Sequence, residues 1–216
     1  DVLVIEVSSF QLETCQNFRP DIGVLMNVLP NHLDRHGTLE AYARMKARLF
    51  ENQREGDMAL TPCEWSARFR EWSKGRGQWK TFGTEAEADF QFKAGQIQSR
   101  AGAEIDIQGS YFNNEVLGPN AAALFGAAVT VGVLPATIQE IMGSFEPLPH
   151  RAQLVGEFHG VRYVNDSKAT NLSAMMASIQ MQDRPVWLIA GGRPKETDFS
   201  AALPILKERV RGVLLI

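Results

Sequence analysis

"IGVLMNVLPNHLDRHGTLEAYARMKARLFENQREGDMALT", residues 22–61, holds two short apolar runs separated by a helical pattern. The first run, 22–29, and the last, 57–61, have the length and the Val, Ile and Leu content of buried strands. Between them Leu39, Tyr42, Met45, Leu49 and Phe50 recur at helical spacing, behind a Thr38 suited to cap a helix N-terminus. Strand, amphipathic helix and strand in this order describe parallel strands whose crossover packs on the sheet.

The same grammar extends in both directions. "DVLVIEVSS" (1–9) reads as a further buried strand at 2–7. Residues 88–112 alternate apolar and polar positions around glycine turns, the pattern of antiparallel hairpins with one wet face. "GPNAAALFGAAVTVGV" (118–133) is an Ala-rich helix and "LPATIQEIMGSF" (134–145) another, with Pro135 near its start. The prolines of "EPLPHRAQL" (146–154) favour an extended connector, so a domain boundary falls near 147, separating 1–147 from 148–216. The second part opens with a hairpin turning at His159-Gly160. A helix at 171–181, a strand "PVWLIAGG" (185–192), a helix at 199–209 and a final strand "GVLLI" (212–216) follow. The expected class is α/β: a mostly parallel central sheet flanked by helices, an added antiparallel sheet, then a partial Rossmann-like domain. A chain that opens and stops on bare strands reads as a piece of a longer protein.

Composition narrows the function. The 216 residues are 44% apolar and 22% charged, with a net charge of -3 and a pI near 5.9. That balance gives no basic field for a nucleic acid, so none is expected as partner. No apolar run reaches the roughly 18 residues of a membrane span, and Cys15 and Cys63 carry no ligand spacing. A cytoplasmic monomer acting on small molecules is expected.

Several residues stand where chemistry collects in parallel sheets, beyond the carboxyl ends of strands. Glu6 follows "VLVI", with Ser8 and Ser9 after it; an acid here is a ligand or simply a strand-end carboxylate in water. His32 lies just past the second apolar run and, like His36, is either a metal ligand or an ordinary loop hydrogen-bonder. Lys46 sits on the edge of the helical stripe, where most lysines snorkel to water. A lysine stripped of solvent could instead present a reactive free amine. "VNDSKATNLSAM" (164–175) crowds Asn165, Asp166, Ser167, Lys168, Thr170 and Asn171 into one turn, which either caps the next helix or holds an anionic ligand. Gly191, Gly192 and Lys195 form a weak cradle for a phosphate or carboxylate. No GxxxxGK(S/T) phosphate loop occurs; the nearest decoy, "GRGQWKT", has Trp79 where that motif needs glycine.

Taken together, "EVSSFQLE" (6–13), "NHLDRHGTLEAYARMKARLFEN" (31–52), "PHRAQLV" (149–155), "GVRYVNDSKATN" (160–171) and "GGRPKETDFS" (191–200) resemble the ATP-dependent Mur ligases of peptidoglycan synthesis. "SSFQLE" followed by "NDSKATN" is similar to the D-glutamate-adding branch. The resemblance implies most of a central ATP-binding domain (1–147, without its phosphate loop) and the first half of a C-terminal domain (148–216). It implies ATP and Mg2+ as cofactors, and UDP-N-acetylmuramoyl-L-alanine and D-glutamate as substrates joined through an acyl phosphate.

By the same resemblance Glu6, His32 and Lys46 would hold or position the metal, with Lys46 carbamylated, and Lys46, His32 and Lys168 would be catalytic. Asn120 would meet the adenine, Arg151 the phosphates and Asp166 the ribose. Ser8 and Gln11 would contact the muramoyl substrate, Lys168 and Thr170 the reacting carboxylates, and Lys195 the incoming D-glutamate. The chain departs from the family pattern in two places. "EVLGPNAAALFGAA" lacks the usual His-Asn pair before the Ala-rich helix, and "ALTPCEW" replaces the usual Asn-Ala-Asp. Another Mur or folylpolyglutamate-type ligase, or a nucleotide-binding module without catalysis, are the competing expectations. The 216 residues alone are expected to be inactive.

Overall fold

The computed structural model describes residues 1–192 and 198–216. They divide into two compact units, one of Asp1–Asn113 with Leu117–Gly143, the other of Asn114–Val116 with Ser144–Ile216.

The first unit is built on a six-stranded sheet in simple sequential order: β1 (Ile22–Val24), β2 (Met58–Pro62), β3 (Gln78–Gly83), β4 (Phe90–Lys93), β5 (Gln96–Ser99) and β6 (Glu104–Asp106). The pairings among the first four strands are parallel and those of β4 with β5 and β5 with β6 antiparallel, so the hairpins continue the parallel sheet. Its helices are α1 (Ser9–Thr14), α2 (Leu33–His36), α3 (Leu39–Ala47, running into a 3-10 turn at Arg48–Phe50), α4 (Cys63–Trp72), α5 (Gly118–Thr130) and α6 (Pro135–Ser144).

Strand β2 shows why this sheet needs helices on both faces. Met58 and Leu60 point into a core shared with Phe82, Phe90, Phe92, Ile97, Phe125 and Met142. Ala59, one residue out of phase, joins the opposite core with Phe50, Trp65, Phe69 and the α3 residues Tyr42, Ala43 and Ala47. Alternate side chains of one strand thus feed two cores. Helix α5 lies close to β4 because Gly118 and Gly126 have no side chain: a Cβ on Gly126 would meet the Phe90 ring at 2.7 Å, and one on Gly118 would strike Phe92. Thr38 caps α3, its Oγ1 accepting from the Ala41 N–H at 3.1 Å.

The return from β3 to β4 takes only residues 84–89, far shorter than a helical crossover. Asp89 pins it: its Oδ2 accepts from the Thr81 N–H (2.9 Å) and hydroxyl (3.1 Å), and Lys80 Nζ lies 3.3 Å from Oδ1. At the ladder's other end Asp57 accepts both arms of Arg19 (2.7 and 2.6 Å) and the Arg54 N–H (2.6 Å).

The second unit holds the hairpin β7 (Gln153–Phe158) with β8 (Val161–Asn165), then α7 (Leu172–Gln180), β9 (Val186–Ala190), α8 (Leu203–Arg209) and β10 (Val210–Leu215). Strands β9 and β10 pair in parallel, as a crossover through α8 requires. The hairpin turns at His159 (φ 48°) and Gly160 (φ 76°), the two positive φ values of a tight two-residue connection.

Three expectations change. Residues 2–7 form no ladder, and Leu3 and Val4 are 82% and 90% exposed. A strand exists only through its neighbours, and β1 is the edge of this sheet, paired with β2 alone. The expected strand 22–29 stops at Val24: the Leu25 N–H still reaches Leu60 O at 2.9 Å, but Leu25 and Val28 then turn into the core. Helix α4 and strand β3 were not expected from the sequence.

Candidate active site

In the first unit α1, α2 and α3 converge through rings. Helix α1 begins with a capping box. The Ser8 Oγ accepts from the Gln11 N–H at 3.3 Å, and Gln11 Oε1 accepts from the Ser8 N–H at 2.8 Å. Ser8 and Gln11 are therefore brought together, each holding the other. His32 occupies the residue before α2 in a left-handed conformation (φ 54°), its N–H donating to Asn31 Oδ1 at 3.0 Å. A non-glycine residue held at positive φ signals local constraint.

That conformation puts the His32 ring edge-on to Phe10, with centroids 5.0 Å apart. His36 lies 5.8 Å from Phe10 and 5.2 Å from Tyr42, and the Lys46 ammonium sits 5.0 Å from the Tyr42 ring centroid. The rings of Phe10 and Tyr42 thus link His32, His36 and Lys46 in one continuous contact chain. His36 Nε2 also lies 3.1 Å from the hydroxyl of buried Ser9. Across the same cluster Arg35 pairs with Glu13 at 2.7 Å, and hydrogen bonding to that guanidinium holds the Glu13 carboxyl below its ordinary value.

Glu6 stands apart from this group. It is exposed in the irregular segment before α1, and no hydrogen bond or ion pair involves it among the described residues. No group of three or more His, Cys, Asp or Glu side chains is placed to hold a metal ion among the described residues. An unmodified lysine ammonium has no lone pair to offer a cation, so Glu6 and His32 are the only ready donors of the expected set. Asn120 is half-buried in the first turn of α5.

The second unit brings its own candidates together. The turn 148–153 and the loop 165–171 are stitched by hydrogen bonds: Asn165 Nδ2 to His150 Nδ1 (2.9 Å), the Ala152 N–H to Asp166 Oδ1 (3.0 Å) and the Lys168 N–H to His150 O (3.2 Å). Arg151 and Lys168 are consequently carried on two turns that are bonded to each other, and both side chains are exposed. His150 and Ala152 pay for this with φ of 67° and 43°, left-handed values that non-glycine residues seldom adopt. The loop ends as a cap: Asn171 Oδ1 accepts from the Ala174 N–H at 2.8 Å, and Thr170 precedes it, exposed. Capping thus explains Asn171, while Lys168 and Thr170 are left with their side chains in solvent. Gly192 follows β9 at φ 90°, and Lys195 lies outside the described residues. Asn165 stands out in the sequence only as one of the polar residues of the turn, and His150 does not stand out at all; the contact between them ties the two turns together.

A parallel α/β sheet with polar loops at its margins is a common ligand-binding design. The fold is similar to a MurF ligase from Thermotoga maritima solved in complex with ADP (TM-score 0.67, 18% identity, 97% of this chain and 52% of that one). It is also similar to a folylpolyglutamate synthase from Thermotoga maritima (TM-score 0.57, 15% identity, 91% and 53%). The Mur ligase middle domain matches residues 1–126, and the chain belongs to that family.

Among curated relatives, a UDP-N-acetylmuramoylalanine--D-glutamate ligase of Nitratidesulfovibrio vulgaris (strain DP4) is 39% identical over 219 aligned residues, covering 100% of this chain and 45% of the relative. One of Pelotomaculum thermopropionicum is 35% identical, covering 100% and 49%. The chain spans about half the length of the curated relatives it matches. None of the described helices is long and apolar enough to cross a membrane.

Proposed function

We propose that these residues belong to an ATP-dependent ligase that joins D-glutamate to UDP-N-acetylmuramoyl-L-alanine, a cytoplasmic, monomeric enzyme of peptidoglycan precursor synthesis. The observation that carries this reading is the 39% identity sustained over the whole chain with a ligase of that name. In this reading 1–147 is part of the central ATP-binding domain and 148–216 the beginning of the C-terminal domain.

The L-alanine carboxylate attacks the γ-phosphorus of ATP and expels ADP. The free amine of D-glutamate then attacks the acyl carbon and expels inorganic phosphate. Two anions must approach each other in the first step, so cationic groups and aligned donors are required around them. Mg2+ supplies part of that charge when bound. Lys46, His32 and Glu6 are the residues assigned to it here. Lys46 becomes a suitable oxygen donor only after its free amine adds carbon dioxide, losing a proton and leaving a carbamate.

Ser8 and Gln11 are assigned to the muramoyl substrate, their capping box fixing both side chains in advance. Arg151 is assigned to the phosphates, Asp166 to the ribose and Asn120 to the adenine. Lys168 and Thr170 are assigned to the reacting carboxylates and Lys195 to D-glutamate. The exposed cations Arg151 and Lys168, carried on the mutually bonded turns 148–153 and 165–171, support the reading of a surface that receives anions.

The full-length protein is expected to release ADP only when both UDP-N-acetylmuramoyl-L-alanine and D-glutamate are present. Lys46→Ala should lower that rate by about a hundredfold or more, as loss of a group supporting transition-state charge does. Folate in place of the muramoyl substrate should give no turnover. Absence of any ADP release under these conditions would leave a nucleotide-binding module instead.

A further inference from the structure

We propose that His36 is a positioning residue, which sets the substrate-facing end of α1 against α3 through the buried hydroxyl of Ser9. Helix α1 has six residues, too few to hold its shape or place by its own hydrogen bonds. Beside the packing of Phe10 and Leu12, polar contacts from three residues outside the helix hold it. Two act on its C-terminal half: the Arg48 guanidinium donates to Glu13 O (3.2 Å) and Cys15 O (2.7 Å), and Arg35 pairs with the Glu13 carboxylate. At the N-terminal end, where Ser8 and Gln11 lie, the polar anchor is the 3.1 Å contact between Ser9 Oγ and His36 Nε2.

Ser9 is only 5% exposed, so its hydroxyl is poorly served by water once His36 is removed. His36 is itself held between the rings of Phe10, on α1, and Tyr42, on α3, and the same Tyr42 ring carries Lys46. One imidazole therefore ties the Ser8–Gln11 pair to the helix that bears Lys46. The purpose of that tie rests on the ligase reading; the tie itself does not.

The test uses the full-length protein with Ser9→Ala, His36→Phe, the double variant, and His36→Gln, whose amide can take over the bond to Ser9. Ser9→Ala and His36→Phe should each raise KM for UDP-N-acetylmuramoyl-L-alanine about five- to tenfold, the scale of one net hydrogen bond, with KM for ATP unchanged. The double variant should be no worse than either single one, and His36→Gln should lie closer to wild type than His36→Phe. Additive losses, or a lowered Tm with an unchanged KM, would overturn the proposal.

Hydrogen exchange at the Leu12 and Cys15 amides, which bond back to Ser8 O and Gln11 O, supplies a reading independent of turnover. Faster exchange there in both single variants is expected even if the wild type fails to use D-glutamate, an outcome that would remove the ligase reading and keep the tie. Unchanged exchange would remove the tie.

Discussion

The two units solve the same packing problem to different degrees. In the first, the parallel strands are covered on both faces, and Phe50, Phe69, Phe82, Phe125, Leu60 and Ile97 are fully buried. In the second, Ile179 and Ala202 are the buried apolar residues among those described. Phe158, Trp187, Ile189 and Leu215 are 65%, 68%, 64% and 80% exposed. Both units have regular strand ladders and helices. What separates them is burial, the term that dominates folding free energy. Regular secondary structure, then, is not by itself a measure of how much stability a region contributes.

The largest expected effect tests that difference directly. Phe69→Ala should destabilise the first unit by about 3–5 kcal/mol, because it removes a fully buried ring packed against Phe50, Trp65 and Trp72 and leaves a cavity. Trp187→Ala removes a larger side chain yet should cost less than about 1 kcal/mol, since most of that indole is already in solvent. Denaturant unfolding followed separately in each unit checks both values. Equal losses would break the comparison.

The same distinction explains what the sequence made legible. The cap of α3 by Thr38 and the turn at His159-Gly160 are written in neighbouring residues, and both were readable. Helix α4 was overlooked because Trp65, Phe69 and Trp72 are interleaved with Glu64, Arg68, Arg70 and Glu71, a pattern with a polar average despite its helical spacing. Strand β3, "QWKTFG", is broken by Lys80 and Thr81 and lacks the continuous apolar run of a central strand. Residues 2–7 erred the other way: their apolar run is real, but pairing is decided by distant chain. In the candidate site, Ser8, Gln11, His32, Lys46, Arg151, Asp166 and Lys168 were named from family-like motifs. The scaffolding of Arg151, Asp166 and Lys168 was not readable, because the His150–Asn165 contact goes with a left-handed backbone at His150 that no local residue type demands.

A smaller effect compares two ion pairs. Asp57 and Asp183 are both held below the usual carboxylate range, the first by hydrogen bonding to Arg19 and the second by hydrogen bonding to Arg162. The Asp57 side chain is 5% exposed and that of Asp183 67%. Asp57→Asn should therefore cost about 1–3 kcal/mol, the loss of a buried charge-assisted pair, whereas Asp183→Asn should change stability little. A depressed folded-state pKa contributes stability that is present above the unfolded value of about 4 and lost as pH falls through the lower folded value. Wild-type urea midpoints measured between pH 7 and pH 3 should fall at the acid end, and Asp57→Asn should flatten that fall. A pH profile unchanged by the variant would show that other carboxylates set acid sensitivity.

The smallest effect sharpens the comparison by removing burial from it. Thr38 in the first unit and Asn171 in the second each accept a hydrogen bond from the backbone three residues on, at 3.1 and 2.8 Å. A cap satisfies an amide left open by its own helix, so its contribution depends on that helix end and hardly on the core beneath. Thr38→Ala and Asn171→Ala should each cost about 1 kcal/mol, similar in both units although their cores differ. Helix unfolding monitored by amide exchange in α3 and α7 measures this. A cap effect several times larger in the first unit would mean that local and tertiary terms are coupled there, and that the contrast drawn from burial understates how the two units differ.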